Sequence, residues 1–415
     1  MNGVVIQTIE RGTAALMVAG AMTMALSAPI SLSLFALGSI LLIFGWLASG
    51  KWEGKIESAA SFTVTIPLVI FVAYAAATAL YSDGEWSHTV RVLSSYLKLL
   101  LIPILLSIST YFNIRERLLN AFYAGCVFLT LLVWVDVVVN LPWSREIGTG
   151  FGPRHQIFTT YISQGMALNA CAVIAWFKLV ESASIASRLG NGFVLLAAMV
   201  SVFLLNGSRI GYLSGFVLLL LAGSYWLFHR RKWQDLVILV PVVASIFYSE
   251  NLFLGINRAV DNISQYTGAG DLSATTSGGA RLAMMSVAYD LWTTAPIFGH
   301  GLGDYRALSL PFFASSVSGD ESNAIAPTNQ LLFIASEMGL VGVVLFSWML
   351  WGVLHPVFRE LPVKKYYAAG LISIFIVDAM GHHPIWDAGE RQISLMLLTL
   401  ICLISRTALR ERKIS

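Results

Sequence analysis

The sequence has 415 residues, of which 57% are hydrophobic and only 12% are charged, and its formal net charge is +3. Soluble domains carry about 25% charged residues, so the polar surface that a soluble chain of this length needs is missing. These values exclude a soluble enzyme, a nucleic-acid-binding protein and a disordered scaffold. They predict an all-α integral membrane protein.

Long apolar segments recur from one end of the chain to the other. Because a helix needs about 20 mostly apolar residues to cross the hydrocarbon core of a bilayer, the pattern predicts about 12 transmembrane helices. The predicted segments are 12–27, 30–49, 62–81, 93–112, 119–140, 157–177, 192–205, 210–227, 236–253, 329–354, 366–380 and 392–404. The three cysteines lie inside these segments and predict neither a disulfide nor a metal site.

Positive charge is divided unevenly between the two sides of these helices. If the N-terminus is cytoplasmic, most of the 26 lysines and arginines fall on cytoplasmic segments, as the positive-inside rule requires. The basic residues on the outer side are all arginines: Arg91, Arg145, Arg154, Arg209, Arg258, Arg281, Arg306 and Arg391. This is either chance or an oxyanion site, because a planar guanidinium binds phosphate or carboxylate with two parallel hydrogen bonds.

Residues 250–327 form the one long hydrophilic stretch, a predicted outer loop. Within it, residues 281–294 have an amphipathic helical pattern, and the glycine-rich segment PIFGHGLGDY follows at 296–305. Long loops of this kind are usually functional. The chain is therefore divided into an N-terminal bundle (1–190), a core that includes the loop (191–355) and a C-terminal part (356–415).

No segment of the sequence carries a metal or cofactor motif. There is no HExxH, and the adjacent His382 and His383 would point in different directions on a helix. We therefore predict no metal and no cofactor. A lipid or sugar transporter is a less favoured alternative, since such carriers show internal repeats and broken helices at the midplane, whereas the polar residues here concentrate in one loop.

Three sequence segments, in this order, resemble a known family. They are NGSRIGYL (206–213), GGARLAMMSVAYDLWTTAPIFGHGLGDY (278–305) and APTNQLLFIASEMGLVG (326–342). Their order and spacing resemble the bacterial O-antigen ligase and O-antigen polymerase family, over roughly residues 195–345.

The resemblance implies a metal-independent, inverting glycosyl transfer at the periplasmic face of the bacterial inner membrane. The donor would be a glycan on undecaprenyl diphosphate, with membrane lipid around its prenyl chain. The acceptor would be a lipid A-core sugar in a ligase, or a second lipid-linked glycan in an O-antigen or exopolysaccharide polymerase. The register of Asn329, Gly339 and Gly342 matches the ligase pattern and favours a ligase.

The resemblance also assigns roles to individual residues. By position, Arg209 and Arg281 would hold the diphosphate and stabilise the charge of the leaving group, while Thr328 and Asn329 would belong to the catalytic set. The further candidates for contact with the diphosphate or the glycan are Arg91, Arg154, His155, His300 and Glu321.

One position departs from the family pattern. The pattern has a histidine where this chain has Thr328, and a threonine hydroxyl cannot act as a general base at neutral pH. Three explanations stay open. In the first, the reaction depends mainly on stabilisation of the leaving group, and Thr328 only positions the acceptor. In the second, the chain is a polymerase-type or divergent member. In the third, another group is the base, for which the candidates are His300, Asp320, Glu321, His382 and His383.

Overall fold

A computed structural model describes residues 2–50, 52–146, 148–151, 154–230, 239–249, 252–254, 257, 260, 261, 277–315 and 325–404. All regular structure in these residues is helical. The α-helices are α1 (Asn2–Ser27), α2 (Leu32–Ala48), α3 (Trp52–Ala60), α4 (Thr65–Thr78), α5 (Trp86–Leu97), α6 (Leu101–Phe112), α7 (Arg115–Val138), α8 (Tyr161–Glu181), α9 (Ile185–Val200), α10 (Arg209–Tyr225), α11 (Leu239–Phe247), α12 (Ser277–Thr294), α13 (Asp304–Ser315), α14 (Gln330–Leu354), α15 (Pro362–Gly381) and α16 (Ala388–Ile404).

Helices long and apolar enough to cross a bilayer confirm the prediction of an all-α membrane protein. In the described part of the chain there are six, or up to seven if α3 and the helix that follows it, bent by 101°, form one span. The six are Trp86–Phe112, Arg115–Val138, Tyr161–Glu181, Ile185–Leu205, Arg209–His229 and Gln330–Arg359. The count of about 12 spans stays a prediction, as do the outer loop and the three-part division of the chain.

The N-terminal helices pack through glycine. A Cβ atom at Gly20 of α1 would lie 2.5 Å from the backbone nitrogen of Leu42 on α2, and one at Gly125 of α7 would lie 2.2 Å from the carbonyl oxygen of Leu26. Small residues let helix backbones approach this closely. Because the hydrophobic effect does not drive helices together within lipid, such close packing is a main source of their association.

Helix α14 is interrupted at Gly339, where φ is 63° and ψ is −165°. The glycine-rich segment packs into this interruption and supplies the hydrogen bonds that the helix loses. Four backbone bonds join the two: Leu340 N to Pro296 O (2.9 Å), Val341 N to Ile297 O (3.2 Å), His300 N to Ser336 O (3.1 Å) and Gly301 N to Glu337 O (3.0 Å). These glycines therefore build a joint between the hydrophilic segment and α14.

The predicted amphipathic helix at 281–294 corresponds to α12, which begins at Ser277 and ends at Thr294. Its apolar face packs in a small cluster with Phe313 of α13, and the hydroxyl of Tyr305 donates to the carbonyl oxygen of Met284 at 3.3 Å. The indole of Trp292 donates to the carbonyl oxygen of Pro296 at 3.1 Å. These contacts tie α12, which carries Arg281, to the joint on α14.

Candidate functional site

Three arginines from distant parts of the sequence line one cavity of about 260 Å³: Arg154, Arg209 and Arg281. Arg154 precedes α8, Arg209 begins α10 and Arg281 lies in α12. The remaining lining residues are Tyr161, Ile162, Gly207, Ser208 and Ile210. No acidic side chain is among the lining residues that the structure describes, so the cavity is strongly electropositive.

Two helix N-termini also face this cavity. Helix α8 begins at Tyr161, and its N-cap Thr160 accepts a hydrogen bond from the backbone of Ser163. Helix α10 begins at Arg209, and its N-cap Ser208 accepts from the backbone of Gly211. A helix N-terminus carries partial positive charge and favours anions. The cavity therefore combines guanidinium groups with helix dipoles, an arrangement that suits a diphosphate.

Asn206 and Gly207 explain why the segment NGSRIG has this composition. The Asn206 side chain is buried and donates to the carbonyl oxygen of Tyr161 at 3.0 Å, which joins the starts of α8 and α10. Gly207 has φ of 71°, and a Cβ atom there would lie 2.7 Å from Cδ and Nε of Arg154. The Arg154 side chain can cross this position only because residue 207 has no side chain.

His155 is fully buried and does not line the cavity. Its Nδ1 lies 2.8 Å from a carboxylate oxygen of Asp136, and its Nε2 lies 2.8 Å from the carbonyl oxygen of Gly150. Both ring nitrogens are thus used inside the protein. In this structure His155 anchors the segment that carries its neighbour Arg154.

Thr328 and Asn329 lie at the start of α14. Asn329 is the N-cap of this helix; its Oδ1 accepts from the backbone of Leu332 at 3.0 Å, and its Nδ2 donates to the carbonyl oxygen of Met380 at 3.0 Å. Thr328 is 7% exposed and its hydroxyl has no hydrogen-bond partner. Asn329 therefore has structural partners on both sides of its amide, whereas the Thr328 hydroxyl is buried and unpaired.

Residues 193–347 match the family model described as O-antigen ligase. This match supports the O-antigen ligase and polymerase family. No curated protein matches the chain. The matched segment contains Arg209, Arg281, Thr328 and Asn329, whereas Arg154 and everything after residue 347 lie outside it.

The remaining residues that were predicted to contact the diphosphate or the glycan lie elsewhere. Arg91 is exposed on α5 and is not among the lining residues of the cavity. Nε2 of His300 lies 2.9 Å from both the Thr294 hydroxyl and the Leu291 carbonyl oxygen, so this ring holds the glycine-rich segment against α12. Glu321, and with it Asp320, falls outside the described residues.

A second group of polar side chains lies in the connection between α15 and α16 (residues 382–387). Nδ1 of His382 lies 2.5 Å from a carboxylate oxygen of Glu390 in the first turn of α16, and the ring of His383 stacks on His382 with 4.1 Å between centroids. Burial lowers the pKa of His382 to about 4; the charge of Arg281 lowers this pKa further, whereas the charge of Asp387 raises it. Burial, with the neighbouring His382, lowers the pKa of His383 to about 3.

Sequence spacing does not reveal this group, because the segment from His382 to Glu390 is not one continuous helix. The sequence GHHP shows the two adjacent histidines, but it does not show that Glu390 is the partner of His382. A buried arginine supports the same connection: Nη1 of Arg391 donates to the Ser95 hydroxyl at 2.8 Å and to the Trp386 carbonyl oxygen at 2.8 Å. This contact gives Arg391, one of the predicted outer-side arginines, a structural role.

Proposed function

We propose that this O-antigen ligase-family protein is a membrane glycosyltransferase that moves a glycan from undecaprenyl diphosphate to a sugar of the lipid A core. The observation that carries the proposal is the cavity in which Arg154, Arg209 and Arg281 meet the N-termini of α8 and α10. A dianionic or trianionic leaving group needs this kind of preorganised positive charge.

The proposed reaction is metal-independent and inverts the anomeric centre. The acceptor hydroxyl attacks the sugar carbon from the side opposite the diphosphate, and the three guanidinium groups and helix dipoles stabilise the charge that develops on the departing diphosphate. Because the prenyl chain stays in lipid, its headgroup would enter the cavity from the outer leaflet.

The proposed location is the bacterial inner membrane, with about 12 spans, cytoplasmic termini and the cavity facing the periplasm. The distribution of lysine and arginine supports this orientation. A periplasmic site is also consistent with an activated lipid donor, since no nucleotide is available there as an energy source.

Purified protein in lipid nanodiscs, given a synthetic glycan on a prenyl diphosphate and a lipid A-core acceptor, tests the proposal. We expect transfer by the wild type and loss of both donor binding and transfer in Arg209→Ala and Arg281→Ala. Arg188→Ala is the matched control, because Arg188 is exposed near the start of α9 and its substitution removes the same charge. Full activity of both cavity variants would refute the anion-site assignment.

A host deleted for the gene separates the ligase from its alternatives. If the protein is a ligase, the whole lipopolysaccharide ladder is lost and long glycan accumulates on the prenyl diphosphate. Core that carries one repeat unit would instead identify a polymerase. An unchanged ladder would exclude both O-antigen reactions and would indicate that the protein acts on another exported polysaccharide.

A further inference from the structure

The proposed transfer requires that the acceptor hydroxyl lose a proton, and none of the cavity-lining residues that the structure describes can accept one. Its charged lining consists of arginines, which do not deprotonate in proteins. Thr328 offers a hydroxyl, which is not a base at neutral pH. A base must therefore come from another element that reaches the cavity.

The connection between α15 and α16 lies against the cavity wall. A Cβ atom at Gly381, the last residue of α15, would lie 3.1 Å from Cδ1 of Ile210, which lines the cavity. On the other side of the connection, a Cβ atom at Gly389 would lie 2.6 Å from the hydroxyl of Ser163, in the first turn of α8. The connection is thus wedged between the starts of α8 and α10, where the two helix N-termini meet the arginines.

The same connection is joined to the start of α14, beside Thr328. The amide of Asn329 donates to the carbonyl oxygen of Met380, and the side-chain oxygen of Gln330 accepts from the backbone of Ile385 at 3.1 Å. Arg281 acts electrostatically on both His382 and His383. The histidine pair therefore lies close to the start of α14 and within electrostatic range of Arg281.

His382 has the geometry of an oriented base. Its Nδ1 is held at 2.5 Å by Glu390, whose side chain is fully buried, and its own side chain keeps 16% of its surface exposed. A carboxylate that holds Nδ1 fixes the ring and leaves Nε2 to accept a proton, and it stabilises the imidazolium that forms. His383 is less suitable, because its Nδ1 is buried without a partner.

A metal site is the competing reading of these side chains, since ligand atoms of Asp378, His382 and Glu390 lie within 4.8 Å of one another. The hydrogen bond of 2.5 Å between Nδ1 and the carboxylate oxygen favours a shared proton over an ion. Two ligands of one ion, with bonds of about 2.0–2.2 Å, stay roughly 3 Å apart or more. The base and the metal site therefore make different predictions for chelation.

We propose that His382, oriented by Glu390, is the general base that removes the proton of the acceptor hydroxyl. This inference rests on the proposed glycosyl transfer. In the step, the acceptor oxygen forms a bond to the anomeric carbon and its proton moves to Nε2 of His382. The bond from that carbon to the diphosphate oxygen breaks, and the electron pair leaves with the diphosphate into the arginine cavity. Glu390 is a positioning residue.

The test uses the full-length protein in nanodiscs and measures donor binding and transfer rate separately. For His382→Gln we expect a transfer rate lower by about 10²–10⁴-fold, the usual contribution of a general base, with donor affinity unchanged. In His382→Ala, added imidazole should restore part of the rate. For Glu390→Gln we expect a smaller loss and a displaced pH–rate profile, which a purely structural carboxylate would not cause.

Three controls make the outcomes distinct. His355→Gln, in the short helix after α14, should keep the wild-type rate, and Thr328→Ala should lower it far less than His382→Gln. Unchanged donor binding and unchanged thermal unfolding show that a slow variant is folded. If the wild type transfers glycan and His382→Gln keeps its rate, the base assignment is wrong while the proposed function stands. If the wild type transfers nothing from the prenyl diphosphate, both are wrong.

Chelation separates the base from a metal centre at the same side chains. We expect EDTA to leave the transfer rate unchanged. A rate that is lost in EDTA and restored by Mn²⁺ or Zn²⁺ would overturn the proposal and make Asp378, His382 and Glu390 metal ligands.

Discussion

Ile297 and Gly339 are in direct backbone contact: a Cβ atom on Gly339 would lie 2.2 Å from the carbonyl oxygen of Ile297. This contact seats the glycine-rich segment in the interrupted helix α14, and α12 with Arg281 is tied to the same joint. The second glycine of the family register has a related role, since a Cβ at Gly342 would lie 2.4 Å from Cβ of Met338. The register is therefore a packing requirement at the joint.

Gly339→Ala should destabilise the protein and lower its activity. Its φ of 63° and ψ of −165° form a backbone conformation that is essentially restricted to glycine and costs other residues about 1–3 kcal/mol, and the clash adds to that cost. Thermal unfolding in detergent measures the effect. Gly190→Ala is the control, because Gly190 is exposed in α9 with nothing within 4 Å and should be neutral or stabilising. Equal unfolding temperatures for the two variants would contradict the role of the joint.

Gly207→Ala should weaken binding of a prenyl-diphosphate donor, because the new methyl group displaces Arg154. Loss of a hydrogen bond to a charged group costs about 1.5–3 kcal/mol, which corresponds to roughly ten- to hundredfold in affinity. Gly50→Ala separates this effect from backbone strain, since Gly50 also has positive φ (60°) but open space around it. If both variants bind the donor equally well, Arg154 does not contribute to the site.

Asp136 and His155 should matter for stability more than for donor recognition. Both side chains are fully buried and lie 2.8 Å apart, and removal of one partner leaves the other buried without its hydrogen bond, which costs about 1–3 kcal/mol or more. Asp136→Ala and His155→Ala should each lower the unfolding temperature strongly, and the double variant should lose much less than the sum. Wild-type stability of His155→Ala with weakened donor binding would instead make His155 a donor contact.

Acid should destabilise the protein through the histidine pair. Burial lowers the pKa of His382 and His383 from an ordinary value of 6.5 to about 4 and about 3, so the unfolded state binds more protons between these values. The free energy of unfolding that comes from keeping the two rings neutral is complete above pH 6.5 and is lost as the pH falls towards 4. Unfolding temperatures measured across this range should fall less steeply in the variant with both His382→Gln and His383→Gln. Asp378, Asp387, Glu390 and Arg281 also face the pair, and they are unchanged in this comparison.

The pH dependence of transfer should follow His382 as well. Because the neutral ring is the base, the rate should persist well below pH 6.5 and fall only as the pH approaches about 4. Asp387 opposes the lowering of this pKa, so Asp387→Asn should move the acid limb to still lower pH. Asparagine can keep the bond that Asp387 Oδ1 accepts from the backbone of Gly389. An acid limb that moves upward would contradict the assignment.

The sequence was sufficient for the features that depend on local composition. Apolar segments of about 20 residues predict helices, and every predicted segment overlaps one or more helices of the structure. The amphipathic pattern at 281–294 likewise identified α12. In contrast, the glycines at 299–303 offered no way to distinguish a phosphate-binding turn from a joint. The atoms that would meet a Cβ belong to α14 at Gly299, to Asp304 and Ser82 at Gly301, and to Thr89 at Gly303.

By itself, the sequence determined the membrane class, the helical segments and the family, since these depend on residue type and on spacing within short stretches. Only the tertiary structure decided that Arg154, Arg209 and Arg281 share one cavity, that both nitrogens of His155 are used internally, and that His382 has Glu390 as its partner. Each of these relationships joins residues from different helices or loops. Helix packing in three dimensions creates such contacts, and no periodicity along one segment encodes them.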